Sequence, residues 1–336
     1  MANNSTAVII GSGFGGIALA IRLQSAGIQT TIVEARGKPG GRAYMWERDG
    51  HIFDAGPTVI TDPACLEELW TLSGSDMAQD VKLLQVQPFY RLAWGDGQQF
   101  DYSNQEAQLR AEIAKLNPAD VDGYERFLQY SRGVYEEGYV KLGAVPFLNF
   151  SSMVRAAPAL MKHQAWRSVY NLVSHYVQNE KLRQALSFHT LLVGGNPMNT
   201  SSIYALIHHL EKTGGVWFAQ GGTNKLIKGM IALFERLGGK LILSDAVNLV
   251  EHEGKRVTAV VTASGQRIAA DMIATNGDLV HSYGLIAGSA YAQRRIRRLK
   301  RSRFSPSLFV VHFGLEGSFP DIAHHTILFS DRYRPL

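Results

Sequence analysis

The sequence contains one cysteine, Cys65, among 336 residues. A single thiol excludes an internal disulfide and a redox-active cysteine pair, and it is typical of a reducing compartment. The eleven histidines form no HExxH motif and no cluster at metal-ligand spacing, so no metal site is predicted. His208 and His209 are adjacent on a predicted helix begun by a serine cap, where their side chains diverge by about 100° and are not expected to share an ion.

Long apolar runs are missing as well. No run reaches the roughly 18 residues that a membrane-spanning helix needs. The apolar N-terminal stretch is interrupted by glycines and has no basic head, so it does not resemble a secretory signal. The sequence also has no paired-carboxylate motif and no nucleophile elbow of the GxSxG type, so hydrolytic chemistry is not indicated.

The composition is that of an ordinary globular protein, with 46% hydrophobic and 19% charged residues. A chain of this length favours two domains, or one core with an inserted piece. The net charge of +5 is concentrated in one basic run. Its members lie within ten residues: Arg294, Arg295, Arg297, Arg298, Lys300, Arg301 and Arg303. A solvated helix face, anionic lipid and nucleic acid could each account for it. No interleaved aromatic residues support base stacking, so lipid is the favoured functional interpretation and no nucleic-acid partner is predicted.

Residues 6–42 carry the motif around which the chain is organised. Ala7–Ile10 reads as a buried strand, and GSGFGG follows at once over residues 11–16. A helix is predicted from Ile17 to near Gly27, and a second strand over 28–33 ends at Glu34. This order of strand, GxGxxG, helix, strand and acidic residue is typical of a dinucleotide-binding unit.

Each part of this motif has a physical role. Gly11 permits the tight turn, Gly13 lets the backbone approach a pyrophosphate, and Gly16 lets helix and strand pack closely. The helix N-terminus supplies free N–H groups and a partial positive charge. Glu34 is placed to accept hydrogen bonds from a ribose diol, and a 2′-phosphate would meet like charge there, so NADP is disfavoured.

The next residues bear on the choice between NAD and FAD. Arg36 to Arg42 follow Glu34 directly and contain Pro39-Gly40-Gly41. Two adjacent glycines let the chain pass close to a bulky ligand. The alternative is a surface turn, since Pro-Gly-Gly is turn chemistry, but that alternative leaves Arg42 without a role.

Glu34 followed by Gly40-Gly41-Arg42 resembles the double-glycine signature of the FAD-dependent amine oxidase and carotenoid desaturase superfamily. Residues 53–58, FDAGPT, resemble its continuation under the flavin. The resemblance implies an FAD site built from Gly11, Gly13, Phe14, Gly15, Gly16, Glu34, Ala35, Arg36, Gly40, Gly41, Arg42, Gly56, Pro57, Thr58, Val247 and Asn276.

The remaining pattern predicts an α/β fold, in which a Rossmann-like FAD-binding domain receives an inserted, mostly helical domain for substrate and membrane binding. The FAD-binding domain is predicted to comprise residues 1–72 and 215–285, the insertion residues 73–214, and a further substrate-domain segment residues 286–336. We expect an Asp62-capped helix from Pro63 and a hairpin over 89–102. An Asn104-capped helix, wide apolar helical faces over 151–189, and strands over 240–243, 246–269, 272–275 and 326–329 complete the prediction.

More narrowly, the whole chain resembles the N-terminal two thirds of bacterial-type phytoene desaturases. The stretches that carry this resemblance are FDAGPTVITDP (53–63), QAWRSVY (164–170), LLVGGNP (191–197) and WFAQGGT (217–223). The resemblance implies FAD, phytoene and later carotene intermediates as substrates, and lycopene or a less desaturated product such as neurosporene. It also implies quinone or oxygen as electron acceptor and peripheral attachment at the cytoplasmic face of the cell membrane. Alternatives are another flavin-dependent carotenoid oxidoreductase or isomerase, an amine oxidase, and a flavin-binding protein without activity.

Two parts of the family pattern are not found. The family ends in a glycine-rich segment that closes over the flavin, and this sequence stops at Leu336 without it, so a fragment or an inactive truncated protein is expected. Desaturation of an allylic bond needs a hydride acceptor, which the flavin can provide, and a proton acceptor. No residue is predicted as proton acceptor. Arg155 and His163 are either charges of the inserted domain or surface groups whose stems lie along apolar surface.

Overall fold

The computed structural model describes residues 5–286, 288–302, 304–305, 307–330 and 333. The strands are β1 (Thr6–Ile10), β2 (Gln29–Val33), β3 (Met45–Arg48), β4 (His51–Asp54), β5 (Leu83–Gln85), β6 (Tyr90–Trp94), β7 (Gln99–Tyr102), β8 (Trp217–Ala219), β9 (Lys240–Ile242), β10 (Val247–Glu253), β11 (Arg256–Thr262), β12 (Arg267–Ala269), β13 (Met272–Thr275) and β14 (Thr326–Phe329). The α-helices are α1 (Phe14–Ser25), α2 (Pro63–Thr71), α3 (Glu106–Leu116), α4 (Val121–Tyr135), α5 (Phe150–Lys162), α6 (Val169–Val173), α7 (Glu180–Ser187), α8 (Leu206–Gly214), α9 (Thr223–Arg236), α10 (Leu279–Gly284) and α11 (Ala290–Leu299).

The described residues divide into two compact units. One is drawn from residues 1–84 and 217–304, and the other from 85–216 and 305–336. The divisions therefore lie at 84, 216 and 304, whereas the sequence placed them at 72, 214 and 285. The first unit reaches further because Met77 and Val81 belong to one of its cores, and because α11 packs against α10.

The first unit is built on a parallel sheet in the order β13-β1-β2-β9. Strand β13 pairs with β1 over Ala7–Ile10 although some 260 residues separate them, as predicted for a nucleotide domain interrupted by an insertion. Side chains alternate between the two faces of β1. Ile9 points into a core with residues of α1 and α9, and Val8 packs with the strands β10 and β11. Both faces are covered, which explains the continuous apolar run of β1.

The second unit contains the predicted hairpin, β6 with β7, and β14 joins it parallel to β6. Three sequence predictions need correction here. Asn104 does not cap α3, because its side-chain oxygen accepts a hydrogen bond from Gln87 Nε2 at 2.9 Å, and the helix begins at Glu106. The apolar faces expected over 151–189 are not one surface. The four apolar side chains of α6 are buried, whereas Met153, Met161 and Trp166 are exposed. His163 is buried, so it is not a surface group.

A buried polar cluster lies inside this unit, between the hairpin and α8. Glu211 has no exposed surface. Tyr90 donates a hydrogen bond from its hydroxyl to Oε1 of Glu211 at 2.7 Å, and His189 Nε2 lies 3.1 Å from Oε2. His208 Nε2 donates to the Leu186 carbonyl at 2.8 Å, and its Nδ1 accepts from the Tyr102 hydroxyl at 2.9 Å. The group includes both a histidine and a carboxylate, but no arrangement of three His, Cys, Asp or Glu side chains in the described part of the chain could hold a metal ion.

Burial shifts the protonation of this cluster towards its neutral forms. Desolvation raises the pKa of Glu211 to about 7, and it lowers the pKa values of His189 and His208 to about 3. An uncharged carboxyl and an uncharged imidazole avoid the cost of two buried charges. Below about pH 7 the Glu211 carboxyl is therefore expected to be protonated beside an uncharged His189 imidazole.

Replacing Glu211 with glutamine is expected to change how stability depends on pH. The pKa of Glu211 is higher in the folded state than its ordinary value of 4.5, so its stabilising contribution is present below pH 4.5 and is lost as pH rises through about 7. The neutral glutamine keeps an acceptor for Tyr90 and has no such loss. Glu211→Gln should gain stability relative to the unmodified protein between pH 5 and 8, by up to about 3 kcal/mol.

Urea unfolding at pH 5, 6, 7 and 8 measures this difference. Glu106→Gln is a matched control, since Glu106 is exposed on the same unit and pairs with Lys212. A stability difference between Glu211→Gln and the unmodified protein that stayed constant with pH would show that Glu211 titrates normally.

Candidate functional site

Three predicted site residues meet at the carboxyl ends of the parallel strands. Gly11 follows β1, Glu34 follows β2, and Asn276 follows β13. Asn276 lies against the glycine loop, since a Cβ at Gly15 would be 2.6 Å from its Oδ1. In doubly wound folds, ligands bind at this edge of the sheet, at the point where the connections that follow two neighbouring strands pass to opposite faces of the sheet.

The glycine loop has the geometry that the motif predicts. Gly11 has φ of +94°, and a Cβ at Gly16 would lie 2.3 Å from the Gly11 carbonyl oxygen. Helix α1 begins at Phe14 with Gly13 as N-cap, with no side-chain cap and no acidic residue in its first turn. The ring of Phe14 packs against the core. The N-terminus of α1 is thus uncapped and suits a phosphate, with the Asn276 side chain beside its first turn at Gly15.

Glu34 is nearly buried at the end of β2, and its carboxylate is held by neighbouring residues. Its Oε2 accepts hydrogen bonds from the Ser12 amide at 2.8 Å and the Ser12 hydroxyl at 2.6 Å, and its Oε1 accepts one from the Arg36 amide at 2.9 Å. These bonds fix the carboxylate beside the glycine loop. Ser12, wholly buried, was not singled out from the sequence, although its position between two motif glycines was the available signal.

The double-glycine segment packs directly on the glycine loop. The Gly40 amide donates to the Ser12 carbonyl at 2.9 Å. Gly41 has φ of +56°, and a Cβ there would lie 2.9 Å from the Gly13 Cα. The backbones at Gly13 and Gly41, which were both predicted to approach a ligand, therefore also contact each other.

The other predicted residues surround these loops. Gly56 packs on the double-glycine segment, where a Cβ would lie 2.1 Å from the Arg42 carbonyl oxygen, and it is followed by Pro57 and Thr58. The exposed guanidinium of Arg36 lies over the Tyr44 ring, 5.0 Å from its centre. The remaining predicted residues are exposed or internal: Ala35 and Arg42 are exposed, and Val247 is in the core.

Val247 is nonetheless close in the chain to residues that bond to the Glu34 region. The Asp245 amide donates to the Glu34 carbonyl at 3.1 Å, and the Ser244 amide donates to the Arg36 carbonyl at 2.9 Å. Because the Val247 side chain is internal, only its backbone is available to a ligand at this edge.

Comparison with known proteins identifies the family. Residues 14–334 match the family described as flavin containing amine oxidoreductase. The chain belongs to this family. It is 59% identical over 332 residues to the lycopene-forming phytoene desaturase of Paracoccus sp. and 53% identical over 329 residues to that of Pantoea ananas. These matches cover 98% of this chain and 66% and 67% of the two relatives, so the chain spans about two thirds of their length.

Solved structures agree on the fold. An oxidoreductase from Methanosarcina mazei aligns with a TM-score of 0.61 at 16% identity, covering 88% of this chain and 64% of that one. Putrescine oxidase bound to putrescine aligns with a TM-score of 0.61 at 15% identity, covering 88% and 63%. The family membership implies a flavin cofactor, and the edge fits one: the uncapped helix N-terminus suits phosphate, and the glycines at 11, 13, 40 and 41 place no side chain of their own on the backbone there.

Alanine at Gly13 and at Gly41 should have different effects. A Cβ at Gly13 has ordinary contact distances, the nearest atom being the Gly41 Cα at 3.9 Å, whereas a Cβ at Gly41 is crowded and its φ is positive. Gly41→Ala should therefore destabilise the apoprotein by about 1–2 kcal/mol. Gly13→Ala should leave the apoprotein as stable as before and weaken flavin binding only. Thermal unfolding of the apoprotein and flavin titration separate the two effects. Unchanged flavin affinity in Gly13→Ala would mean that no ligand approaches Gly13.

Proposed function

We propose that the chain carries the flavin site of an FAD-dependent phytoene desaturase, which removes a hydride and a proton from phytoene in successive steps to give lycopene. The observation that carries this proposal is the glycine-lined edge with Glu34 at the end of β2, in a chain 53–59% identical to two lycopene-forming desaturases. Identity to the neurosporene-forming enzyme of Cereibacter sphaeroides is 37%, which favours lycopene as the product.

FAD is the proposed flavin because the edge offers sites for two parts of a dinucleotide. The N-terminus of α1 provides N–H groups for a pyrophosphate, and Glu34 provides a fixed carboxylate for a ribose diol. A 2′-phosphate near Glu34 would meet a negative charge, which argues against NADP. Bound FAD would supply the hydride acceptor. The residues of the chain would bind and orient it, and quinone or oxygen is the proposed acceptor of its electrons.

The second unit has the surface expected for a water-insoluble substrate. Helix α5 buries its small residues Ser152 and Ala156 and exposes large apolar ones, including Phe150 at 83%. Leu148, just before the helix, is 86% exposed. A helix with its large apolar side chains outward would bury them in the interfacial region of a bilayer.

A small cavity lies under the same helix. Its volume is about 270 Å³, and its lining includes Val145, Phe147, Ala156 and the side chain of Arg155. Pockets for drug-sized ligands usually occupy about 300–1,000 Å³, so this cavity can hold only part of a C40 polyene. We propose that α5 and this cavity form the membrane-facing entrance for the substrate, with Arg155 at its polar side.

The first unit carries the basic run, which we propose attaches to anionic lipid at the cytoplasmic face of the membrane. Helix α11 exposes Arg294, Arg297 and Arg298, with Lys300 and Arg301 following. Arg295 is partly buried and lies over the rings of Tyr283 and Tyr291, so it stabilises the helix. The predicted Arg303 lies outside the described residues. No helix in the described part of the chain combines the length and hydrophobicity needed to cross a bilayer.

Reconstitution tests the enzymatic proposal. The purified chain should bind FAD and not NADP, and Glu34→Ala should weaken FAD binding by about 1–3 kcal/mol through loss of charged hydrogen bonds. With FAD and phytoene-containing liposomes, the proposal expects the visible absorption of a conjugated polyene, reduced in Glu34→Ala at limiting FAD. Tight FAD binding without any coloured product would instead favour a flavin-binding protein without desaturase activity.

Liposome sedimentation tests the membrane proposal. Binding should have a salt-sensitive part from α11, of about 1 kcal/mol per charge that reaches anionic lipid, and a salt-insensitive part from α5. Replacing Arg294, Arg297 and Arg298 with glutamine should remove only the first part. The matched control replaces Lys228, Lys240 and Lys255, which are exposed on the same unit. Equal effects of the two triple variants would mean that net charge, and not this helix, attracts the protein.

A further inference from the structure

The last residue of β4, Asp54, makes an unusual helix cap. Helix α9 begins after Gly222, which has no side chain to cap it. Asp54 supplies the cap from 169 residues away: its Oδ2 accepts a hydrogen bond from the Thr223 amide at 2.7 Å, and its Oδ1 accepts one from the Asn224 amide at 3.2 Å. A carboxylate at this end of a helix is also favoured by the helix dipole.

The contact between the cap and the helix is close enough to require glycine. Gly222 has φ of +96°, and a Cβ there would lie 2.3 Å from Oδ2 of Asp54. A second bond holds the same loop, because the Thr223 hydroxyl donates to the Pro57 carbonyl at 2.5 Å. Both ends of the segment 54–57 are therefore hydrogen-bonded to the first turn of α9.

This tied loop supports the double-glycine segment. The Ala55 amide donates to the Tyr44 carbonyl at 2.9 Å, and Gly56 lies against the backbone of Arg42 and Ala43. Gly41, one residue earlier, contacts Gly13 in the glycine loop. A continuous set of backbone contacts thus runs from the N-terminus of α9, through Asp54 and Gly56, to the two glycine segments of the proposed flavin site.

We propose that Asp54 is a positioning residue for the flavin: by capping α9 it fixes residues 55–57, and through them it holds residues 40–43 in the flavin-binding conformation. Both of its carboxylate oxygens accept bonds from α9, so this role requires no contact between Asp54 and the cofactor. Thr223 acts with it through the Pro57 carbonyl. The inference rests on the proposed flavin site, but its first consequence concerns the apoprotein.

The test compares variants at the two ends of α9. Asp54→Ala removes the cap, and Asp54→Asn keeps an acceptor without the charge. Thr223→Val removes the hydroxyl bond with little change of shape, and Thr223→Ser restores it. Arg236→Ala is the control, because Arg236 ends the same helix and pairs with Asp80 at 2.6 Å, far along α9 from the loop.

Two measurements are made on each variant of the 336-residue chain. Hydrogen exchange in the apoprotein follows the Gly40 and Ala43 amides, which donate to the Ser12 and Gly40 carbonyls at 2.9 and 2.8 Å. Fluorescence titration gives the FAD dissociation constant. Asp54→Ala should speed exchange at both amides and raise the dissociation constant about tenfold, with Asp54→Asn intermediate. Thr223→Val should act in the same direction, Thr223→Ser should resemble the unmodified protein, and Arg236→Ala should lower thermal stability without either effect.

Equal exchange and equal FAD affinity in Asp54→Ala and Arg236→Ala would overturn the inference and leave Asp54 as a helix cap only. Should Asp54→Ala not fold, Asp54→Asn and Thr223→Val decide by the same two measurements. Absence of FAD binding by the unmodified protein would contradict the proposed function, while the exchange data would still show whether Asp54 positions residues 40–43.

Discussion

Backbone contact without intervening side chains is the constraint on which the proposed site depends. At the carboxyl edge of the sheet, Gly16 lies on the Gly11 carbonyl, Gly41 on Gly13, and Gly56 on the carbonyl of Arg42. A Cβ at Gly16, Gly41 or Gly56 would come within 3 Å of a backbone atom. Because these contacts involve rigid backbone and not flexible side chains, the segments can only move together. A dinucleotide placed on them meets a preformed surface of N–H groups, whose ordering has already been achieved by folding.

The elements that local hydrophobic periodicity and the glycine motif determine could be predicted from the sequence. The strand, glycine loop, helix and strand of residues 6–34 occur in the predicted order, although α1 begins at Phe14 and not at Ile17, and β13 joins β1 as expected. The partners of individual polar groups were not predictable. The motif spacing located Glu34 but did not reveal that Ser12 bonds to it. Asn104 is a residue type that commonly caps helices, but in the structure its side-chain oxygen accepts a hydrogen bond from Gln87. The bond between Asp54 and Thr223 joins two recognised motifs that no local rule connects. The periodicity of α5 revealed an apolar stripe without showing which side turns inward.

The two units differ in where their ionisable side chains lie. In the first unit, backbone amides donate hydrogen bonds to Glu34 at the edge of the parallel sheet and to Asp54 at the end of β4. The second encloses Glu211 and two histidines completely, where desolvation favours uncharged forms, and leaves large apolar side chains of α5 outside. Tyr90 bonds to the buried Glu211, whereas neither ring nitrogen of His189 has a hydrogen-bond partner among the described residues. The exposed apolar side chains of α5 are the surface on which the membrane proposal depends.

The position of β13 also affects how the protein is made. A ribosome delivers β1 and β2 first, yet the strand that completes the sheet beside β1 is residue 272 onward. At about 5–20 residues per second, that strand emerges tens of seconds later. Throughout this interval the first unit has an open strand edge, a surface prone to wrong pairing, although residues 85–216 of the second unit have already been made. The first eighty residues therefore cannot complete their sheet until most of the chain has been made.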